Sequence, residues 1–308
     1  MENTAFVFPG QGSQAVGMLA ELAENQPIIG ETFAQASQVL GYDLWELVQQ
    51  GPVETLNETD KTQPALLAAS VAIYRAYVAS GKALPKVMAG HSLGEYSALV
   101  CAGVIEFEAA IKLVELRGQL MQQAVPAGTG AMFAIIGLDN DAIAKACEEA
   151  AQGSVVSPVN YNSPGQVVIA GEKEATERAA ALCKANGAKM AVALPVSVPS
   201  HCQLMKPAAD KLAAALIDIQ FKAPLVTVIN NVDVACPTAE LDIKDALVRQ
   251  LYSPVRWSES VELMASKGIS NLYEMGPGKV LTGLTKRINR SFTAKAINDA
   301  ASFAALTE

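Results

Sequence analysis

A chain of 308 residues that is 51% hydrophobic and only 18% charged can bury a large core, arranged as one big domain or two smaller ones. Its formal charge of −8 argues against a general nucleic-acid binder, which needs a basic face to neutralise phosphates. Cys101, Cys147, Cys183, Cys202 and Cys236 are odd in number, far apart and without metal-ligand spacing, so they read as reduced, buried thiols of a cytoplasmic protein, with no metal site and no disulfide.

Met1-Glu2-Asn3-Thr4 carries no basic n-region and no apolar stretch reaches the ~18 residues of a membrane span, so neither export nor a membrane partner is expected. Ala5-Phe6-Val7-Phe8 reads as a first strand. Pro9-Gly10-Gln11-Gly12-Ser13-Gln14 follows it, with glycines that allow close backbone approach. Gly10-x-Gly12-x-x-Ala15 matches a loose dinucleotide fingerprint. That reading needs a second strand ending in an acidic residue about 20 positions on, whereas helices near 15–24 and 30–40 are expected. A further helix is expected after Pro64.

Val87-Met88-Ala89 then leads as a strand into Gly90-His91-Ser92-Leu93-Gly94 and a helix carrying Tyr96, Leu99 and Val100. Strand, tight turn and helix with serine at the apex form the G-x-S-x-G nucleophile elbow. The motif alone is short, and turn serines commonly bond local backbone; the strand before and the helix after favour a nucleophile. Leu93 N–H stands at the helix start, where an oxyanion is stabilised, and the loop from Gly10 to Gln14 is the natural source of a second donor.

In the helix expected over 106–123, Glu108, Lys112, Glu115, Gln119 and Gln122 share one face, and Arg117 projects about 180° from it, among Leu113, Val114 and Met121. An inward guanidinium must find an anion, because an unpaired buried charge is very costly. Either an internal Asp or Glu pairs with it, or it grips a substrate carboxylate in the cleft beside Ser92.

Ala127-Gly128-Thr129-Gly130 interrupts this texture. Strands are expected at 132–137, 155–160, 167–170 and 190–195, with helices near 139–151 and 172–186, the βαββαβ order of a ferredoxin-like unit. From about 199 the α/β pattern resumes, with a helix near 203–216, a strand at 226–230, and Leu272-Tyr273-Glu274 before Gly276-Pro277-Gly278. The expected architecture is α/β: a parallel-sheet domain from residues 1–125 and 199–308, with residues 126–198 inserted and a cleft between them.

The chain has two histidines. His91 lies inside the elbow beside the serine, leaving His201, in Val198-Pro199-Ser200-His201-Cys202, as the better-placed base at the return from the small unit. No acidic residue stands out to orient it, so a backbone carbonyl or amide oxygen could hold the ring. Cys202 reads as a buried thiol, since adjacent side chains rarely face each other. Near the end, Lys279, Lys286 and Arg290 fall on one face of an expected helix, either a solvated face or a docking stripe for an anionic partner.

Several motifs in order show that the chain closely resembles the malonyl-CoA:acyl carrier protein transacylase family of bacterial fatty-acid synthesis. They are Phe8-Pro9-Gly10-Gln11-Gly12-Ser13-Gln14, Thr62-Gln63-Pro64-Ala65, Gly90-His91-Ser92-Leu93-Gly94-Glu95-Tyr96, Arg117-Gly118, Asn162-Ser163-Pro164-Gly165-Gln166, Ser200-His201, Gln250-Leu251 and Gly276-Pro277-Gly278. The resemblance implies a hydrolase-like α/β domain with a ferredoxin-like insertion. It implies Ser92 as the acylated nucleophile, His201 as general base, the backbone amides of Gln11 and Leu93 as oxyanion hole, and Arg117 as clamp of the malonyl carboxylate. By the same resemblance Met121, Asn162, Gln166 and Ser200 contact substrate, and a main-chain carbonyl near Gln250 orients the histidine. The implied substrates are malonyl-CoA and phosphopantetheinylated acyl carrier protein, with no metal or redox cofactor, and a monomer is expected. Related polyketide domains selective for malonyl often carry Phe where this chain has Ser200, which leaves more room beside the acyl α-carbon.

A serine thioesterase or esterase is the alternative reading of the elbow. Such hydrolases usually place their histidine close to the C-terminus, whereas about a third of this chain follows His201.

Overall fold

The computed structural model describes residues 1–196 and 198–307. The chain opens with β1 (Thr4–Phe8), α1 (Ala20–Asn25), α2 (Pro27–Leu40), α3 (Leu44–Gln50), α4 (Val53–Leu56), α5 (Thr59–Ala79), β2 (Val87–Gly90), α6 (Leu93–Cys101) and α7 (Phe107–Ala124). It continues through β3 (Gly130–Ile136), α8 (Asn140–Ala151), β4 (Val156–Ser163), β5 (Gln166–Glu172), α9 (Lys173–Ala185) and β6 (Met190–Ala193). After a 3-10 turn at Gln203–Met205 come α10 (Lys206–Leu216), β7 (Thr227–Ile229), α11 (Glu240–Gln250), α12 (Trp257–Ser266), β8 (Asn271–Met275), α13 (Val280–Ile288), β9 (Thr293–Ile297) and α14 (Ala300–Thr307).

Five strands form a parallel sheet in the order β7-β2-β1-β8-β9. Its central strands β1 and β2 are buried along their whole length and almost wholly apolar, because both faces are covered. In β1, Phe6 and Phe8 pack into the core beneath α2, α5 and α7, while Ala5 and Val7 face the opposite core with Trp257, Leu272 and Leu281. The other four strands form an antiparallel sheet in the order β4-β5-β3-β6, with α8 and α9 over one face. This βαββαβ unit lies between α7 and α10 in sequence, so the architecture is a hydrolase-like parallel-sheet domain with a ferredoxin-like insertion, as expected. Strand β4 ties the insertion to the large domain at the segment before α12: Tyr161 N–H donates to Val255 O, and Val255 N–H to Val159 O, each at 2.9 Å.

The expected helix near 15–24 begins only at Ala20, because Gly12, Gly17 and Leu19 all take positive φ and hold the preceding stretch as a loop. The helix expected after Pro64 starts before it, at Thr59, and runs through the proline. One ladder bond is lost there, and burial of Thr59, Thr62 and Gln63 against the core holds the first turns in place. The expected helix from Lys279 to Arg290 is shorter: Lys279 caps α13 and Arg290 lies beyond its end, so the two flank the helix while Lys286 stands on it. Among the described residues no helix is long and apolar enough to cross a membrane.

The glycines of the elbow are required by close approach. A Cβ on Gly94 would lie 2.0 Å from the Phe8 carbonyl oxygen, and one on Gly90 would lie 1.8 Å from the Gly94 carbonyl carbon. Backbone of β1 and α6 supplies those contacts, so no side chain can swing away. Gly94→Ala is therefore expected to cost about 3 kcal/mol or more of stability in chemical denaturation. A loss below about 1 kcal/mol would show that the elbow can shift relative to β1.

Candidate active site

The cavity opens at the carboxyl ends of β1 and β2, where ligands bind in parallel α/β sheets. Its walls come from both units: Gly10, Gln11, His91, Ser92, Leu93, Arg117, Met121 and His201 from the large one, and Met132, Asn160, Asn162, Val168 and Leu194 from the small one.

Ser92 caps α6 at φ 52° and ψ −110°, a strained conformation that lifts its side chain out of the turn. Asn231 braces that turn from beneath. Its Oδ1 accepts Ser92 N–H at 2.7 Å and its Nδ2 donates to Gly90 O at 2.7 Å. Ser92 Oγ lies 2.8 Å from His201 Nε2, and His201 Nδ1 lies 2.7 Å from Gln250 O. A carbonyl can only accept, so Nδ1 carries the ring proton and Nε2 is the acceptor for the serine hydroxyl. Burial, and next the nearby Arg117 guanidinium, push the His201 imidazole down to about 3, against the opposing pull of the Gln250 carbonyl. The ring is neutral at neutral pH, the form that can take a proton.

Leu93 is the first residue of α6, so its N–H has no intrahelical acceptor. The loop after β1 presses against the elbow so closely that a Cβ on Gly10 would sit 2.5 Å from His91 O, which brings Gln11 to the cavity wall beside Ser92. This loop is followed by turns up to Ala20, and the next strand, β2, comes only after five helices, α1 to α5, so the loop does not stand in a dinucleotide arrangement.

Arg117 is buried, at 1% exposure, on the apolar face of α7. Its hydrogen bonds go to neutral acceptors: Nη1 to Gln63 Oε1 at 2.9 Å, and Nη2 to Gln250 Oε1 at 3.0 Å and to Ser92 Oγ at 3.3 Å. Tyr96 lies beneath it, with the guanidinium carbon 5.3 Å from the ring centroid. Among the described residues no carboxylate is within ion-pair distance of it. Direct internal pairing, one of the two alternatives for this residue, is thus not what the fold provides. A five-donor group making three hydrogen bonds retains donors for an anion in the cavity.

The remaining expected contacts divide. Met121 and Ser200 line the cavity. Asn162 lines it too, with its Oδ1 2.8 Å from His91 Nε2 across the junction of the two units. Gln166 does not join the cavity wall; its side-chain oxygen accepts from Arg287. Cys202 is buried and its Sγ donates to Pro199 O, with burial pushing the thiol up to about 11, so it is no partner for His201. Sequence reasoning gave no role to Asn231 or to the side chains of Gln63, Glu95 and Gln250. Gln63 and Glu95 stand inside recognised motifs, but nothing local signals that they turn inward.

An acyl transferase domain model matches residues 5–305. The chain is 68% identical over 308 residues to the malonyl CoA-acyl carrier protein transacylase of Escherichia coli K12, covering all of both chains. A crystal structure of an acyl carrier protein S-malonyltransferase from Vibrio cholerae superposes with a TM-score of 0.97 at 69% identity, covering 99% of each chain. A second structure, of a type II PKS acyl-carrier protein in complex with its malonyl-transacylase, matches with a TM-score of 0.97 at 65% identity over 98% of this chain and 97% of that one. With a serine elbow, a neutral histidine at hydrogen-bond distance and a buried guanidinium in one cavity, the chain belongs to the acyl transferase domain family and, within it, to the malonyl CoA-acyl carrier protein transacylases.

Proposed function

We propose that Ser92 carries the malonyl group between malonyl-CoA and the phosphopantetheine thiol of acyl carrier protein. The observation that supports this most directly is Arg117, a buried guanidinium with only neutral partners, 3.3 Å from the Ser92 hydroxyl. A malonyl carboxylate placed on Arg117 sets its thioester carbonyl over Ser92 Oγ. His201 Nε2 takes the hydroxyl proton as Oγ attacks, and the backbone amides of Gln11 and Leu93 receive the oxyanion. The C–S bond then breaks and CoA leaves as the thiol, with His201 returning the proton. The carrier-protein thiol repeats the sequence in reverse order of groups, and Ser92 regains its proton. A nucleophile, a base and fixed donors suffice, so no metal or redox cofactor is invoked.

The bound carboxylate also offsets the Arg117 charge that helps to hold His201 neutral, so the base gains strength when the correct acyl group is in place. Met121 and Ser200 border the acyl group and Asn162 the pantetheine path, while Gln166, held by Arg287 outside the cavity wall, takes no part in this reading, and Gln250 O fixes the ring of His201. The boundaries at 125/126 and 198/199 belong to the same reading and are supported by two sheets that share no strand. The chain acts as a cytoplasmic monomer. For the carrier protein, Lys279, Lys286 and Arg290 are exposed on and around α13, whose Val280, Leu281 and Leu284 border the cavity, which places positive charge beside its mouth.

Intact-protein mass spectrometry after brief incubation with equal malonyl-, methylmalonyl- and acetyl-CoA tests the core of the proposal. A malonyl adduct is expected, absent in Ser92→Ala and discharged by carrier protein; free CoA accumulating without an adduct would favour a hydrolase. Arg117→Ala is expected to lose malonyl transfer by roughly a hundredfold or more while acetyl transfer is spared or improved, and equal loss of both would make Arg117 structural. His201→Ala should slow acylation by roughly 10² to 10⁴. Because the imidazole lies well below its ordinary 6.5, its basic form persists as pH falls, so acylation by acetyl-CoA, whose acyl group is uncharged, stays level from about pH 8 to about pH 5. A halving near 6.5 would contradict that. Reversing charge with Lys286→Glu and Arg290→Glu together is expected to raise the KM for carrier protein without changing that for malonyl-CoA; an unchanged carrier-protein KM removes the docking role.

A further inference from the structure

Two buried charges face each other across one carboxamide without touching. Arg117 Nη2 donates to Gln250 Oε1 at 3.0 Å, and Gln250 Nε2 donates to Glu95 Oε2 at 2.8 Å. The same Glu95 oxygen accepts Asn231 N–H at 2.9 Å, and Gln250 Nε2 also reaches the Ser92 carbonyl at 3.1 Å. Glu95 stands in the first turn of α6, beneath the elbow, and is 2% exposed. An amide held between a cation and an anion has one favourable orientation, oxygen to guanidinium and nitrogen to carboxylate. Its dipole therefore joins the two charges.

We infer that Glu95, acting through the Gln250 carboxamide, is the resting counter-charge of Arg117 and sets how tightly the site holds an anionic acyl group. Glu95 is then a positioning residue that tunes malonyl against uncharged acyl groups. The inference rests on the proposed malonyl clamp at Arg117. An incoming malonyl carboxylate is a second anion for one buried cation, so the charge on Glu95 weakens the grip and lets the acyl group move on to the carrier thiol. Without that charge the whole field of Arg117 acts on the substrate.

The charged and titratable groups that act on Glu95 are Arg117 from α7, Asp233 from the turn after β7 and Tyr96 beside it on α6, while His201, after β6, feels Arg117 and the elbow's His91. Burial pushes the Glu95 carboxyl up to about 7, while Tyr96 is pushed up to about 12 and His201 down to about 3. Asp233 is held below the usual carboxylate range by its hydrogen bonds to Arg249, and burial lowers His91 from its ordinary value. Acidification through neutrality thus discharges Glu95 while Arg117 keeps its charge, so the grip on malonyl tightens as pH falls.

The test is steady-state KM and kcat for malonyl-CoA and acetyl-CoA, from about pH 8.5 to about pH 6, in the wild type and Glu95→Gln. Glutamine keeps an acceptor oxygen for Gln250 and Asn231 and removes the charge. At the alkaline end the variant is expected to show a malonyl-CoA KM about tenfold lower, with a reduced kcat and an acetyl-CoA KM unchanged within about twofold. The difference should vanish at the acidic end. An unchanged malonyl KM, an equal shift for both donors, or a fall in kcat for both with KM constant would overturn the inference. Should the variant fail to fold, the wild type reads the same charge: its malonyl KM falls on acidification while its acetyl KM stays level, and a level malonyl KM overturns the inference. A wild type that forms no malonyl adduct on Ser92 would instead overturn the clamp itself.

Discussion

A buried guanidinium with no carboxylate in contact among the described residues is the constraint around which this site is built. Leaving a charge alone in a low-dielectric interior is costly, and the fold spreads the cost over oriented neutral groups. Gln63 on α5, Gln250 at the end of α11 and Ser92 at the head of α6 each present an oxygen to Arg117 on α7. Four helices must therefore pack in register for all three of these contacts to exist together. The same charge reaches His201, where it adds to burial in keeping the imidazole neutral and ready to accept a proton.

The proposed catalytic pair of Ser92 and His201 has no carboxylate behind it among the described residues. Where many serine enzymes place a carboxylate, His201 Nδ1 meets the main-chain carbonyl of Gln250, which fixes the tautomer and ring without adding a charge. An aspartate there would sit close to Arg117 and compete with an anionic substrate for it. A carbonyl dipole orients the ring and leaves the guanidinium unclaimed. The nearest buried carboxylate, Glu95, is kept one amide away.

Strain at Ser92 is held by its surroundings. Glycines at 90 and 94 let β1, β2 and α6 meet at backbone distance, and Asn231 ties both sides of the turn with two 2.7 Å hydrogen bonds. The inserted sheet then closes the far wall with Met132, Val168 and Leu194, while the His91 to Asn162 hydrogen bond joins elbow and insertion at the cavity edge. An apolar wall facing a single cation suits a short acyl chain ending in a carboxylate.

Local pattern alone carried much of this. The apolar run at 5–8, the glycine-flanked serine at 92, the βαββαβ order after residue 130 and the inward face of Arg117 are all set by neighbours within a few residues, through strand and helix periodicity and turn chemistry. The start of α1 and the run of α5 through Pro64 were misplaced because loop glycines and core packing outweigh local propensity there. Tertiary structure alone decided the partners. Ser92 and His201 are 109 residues apart, Arg117 and Gln250 133, and Glu95 and Gln250 155, and polar side chains such as Gln63, Asn231 and Gln250 have no periodicity that marks them as inward. A buried hydrogen bond is selected by which acceptor the fold brings within about 3 Å, and that distance exists only once the sheet and its helices have packed.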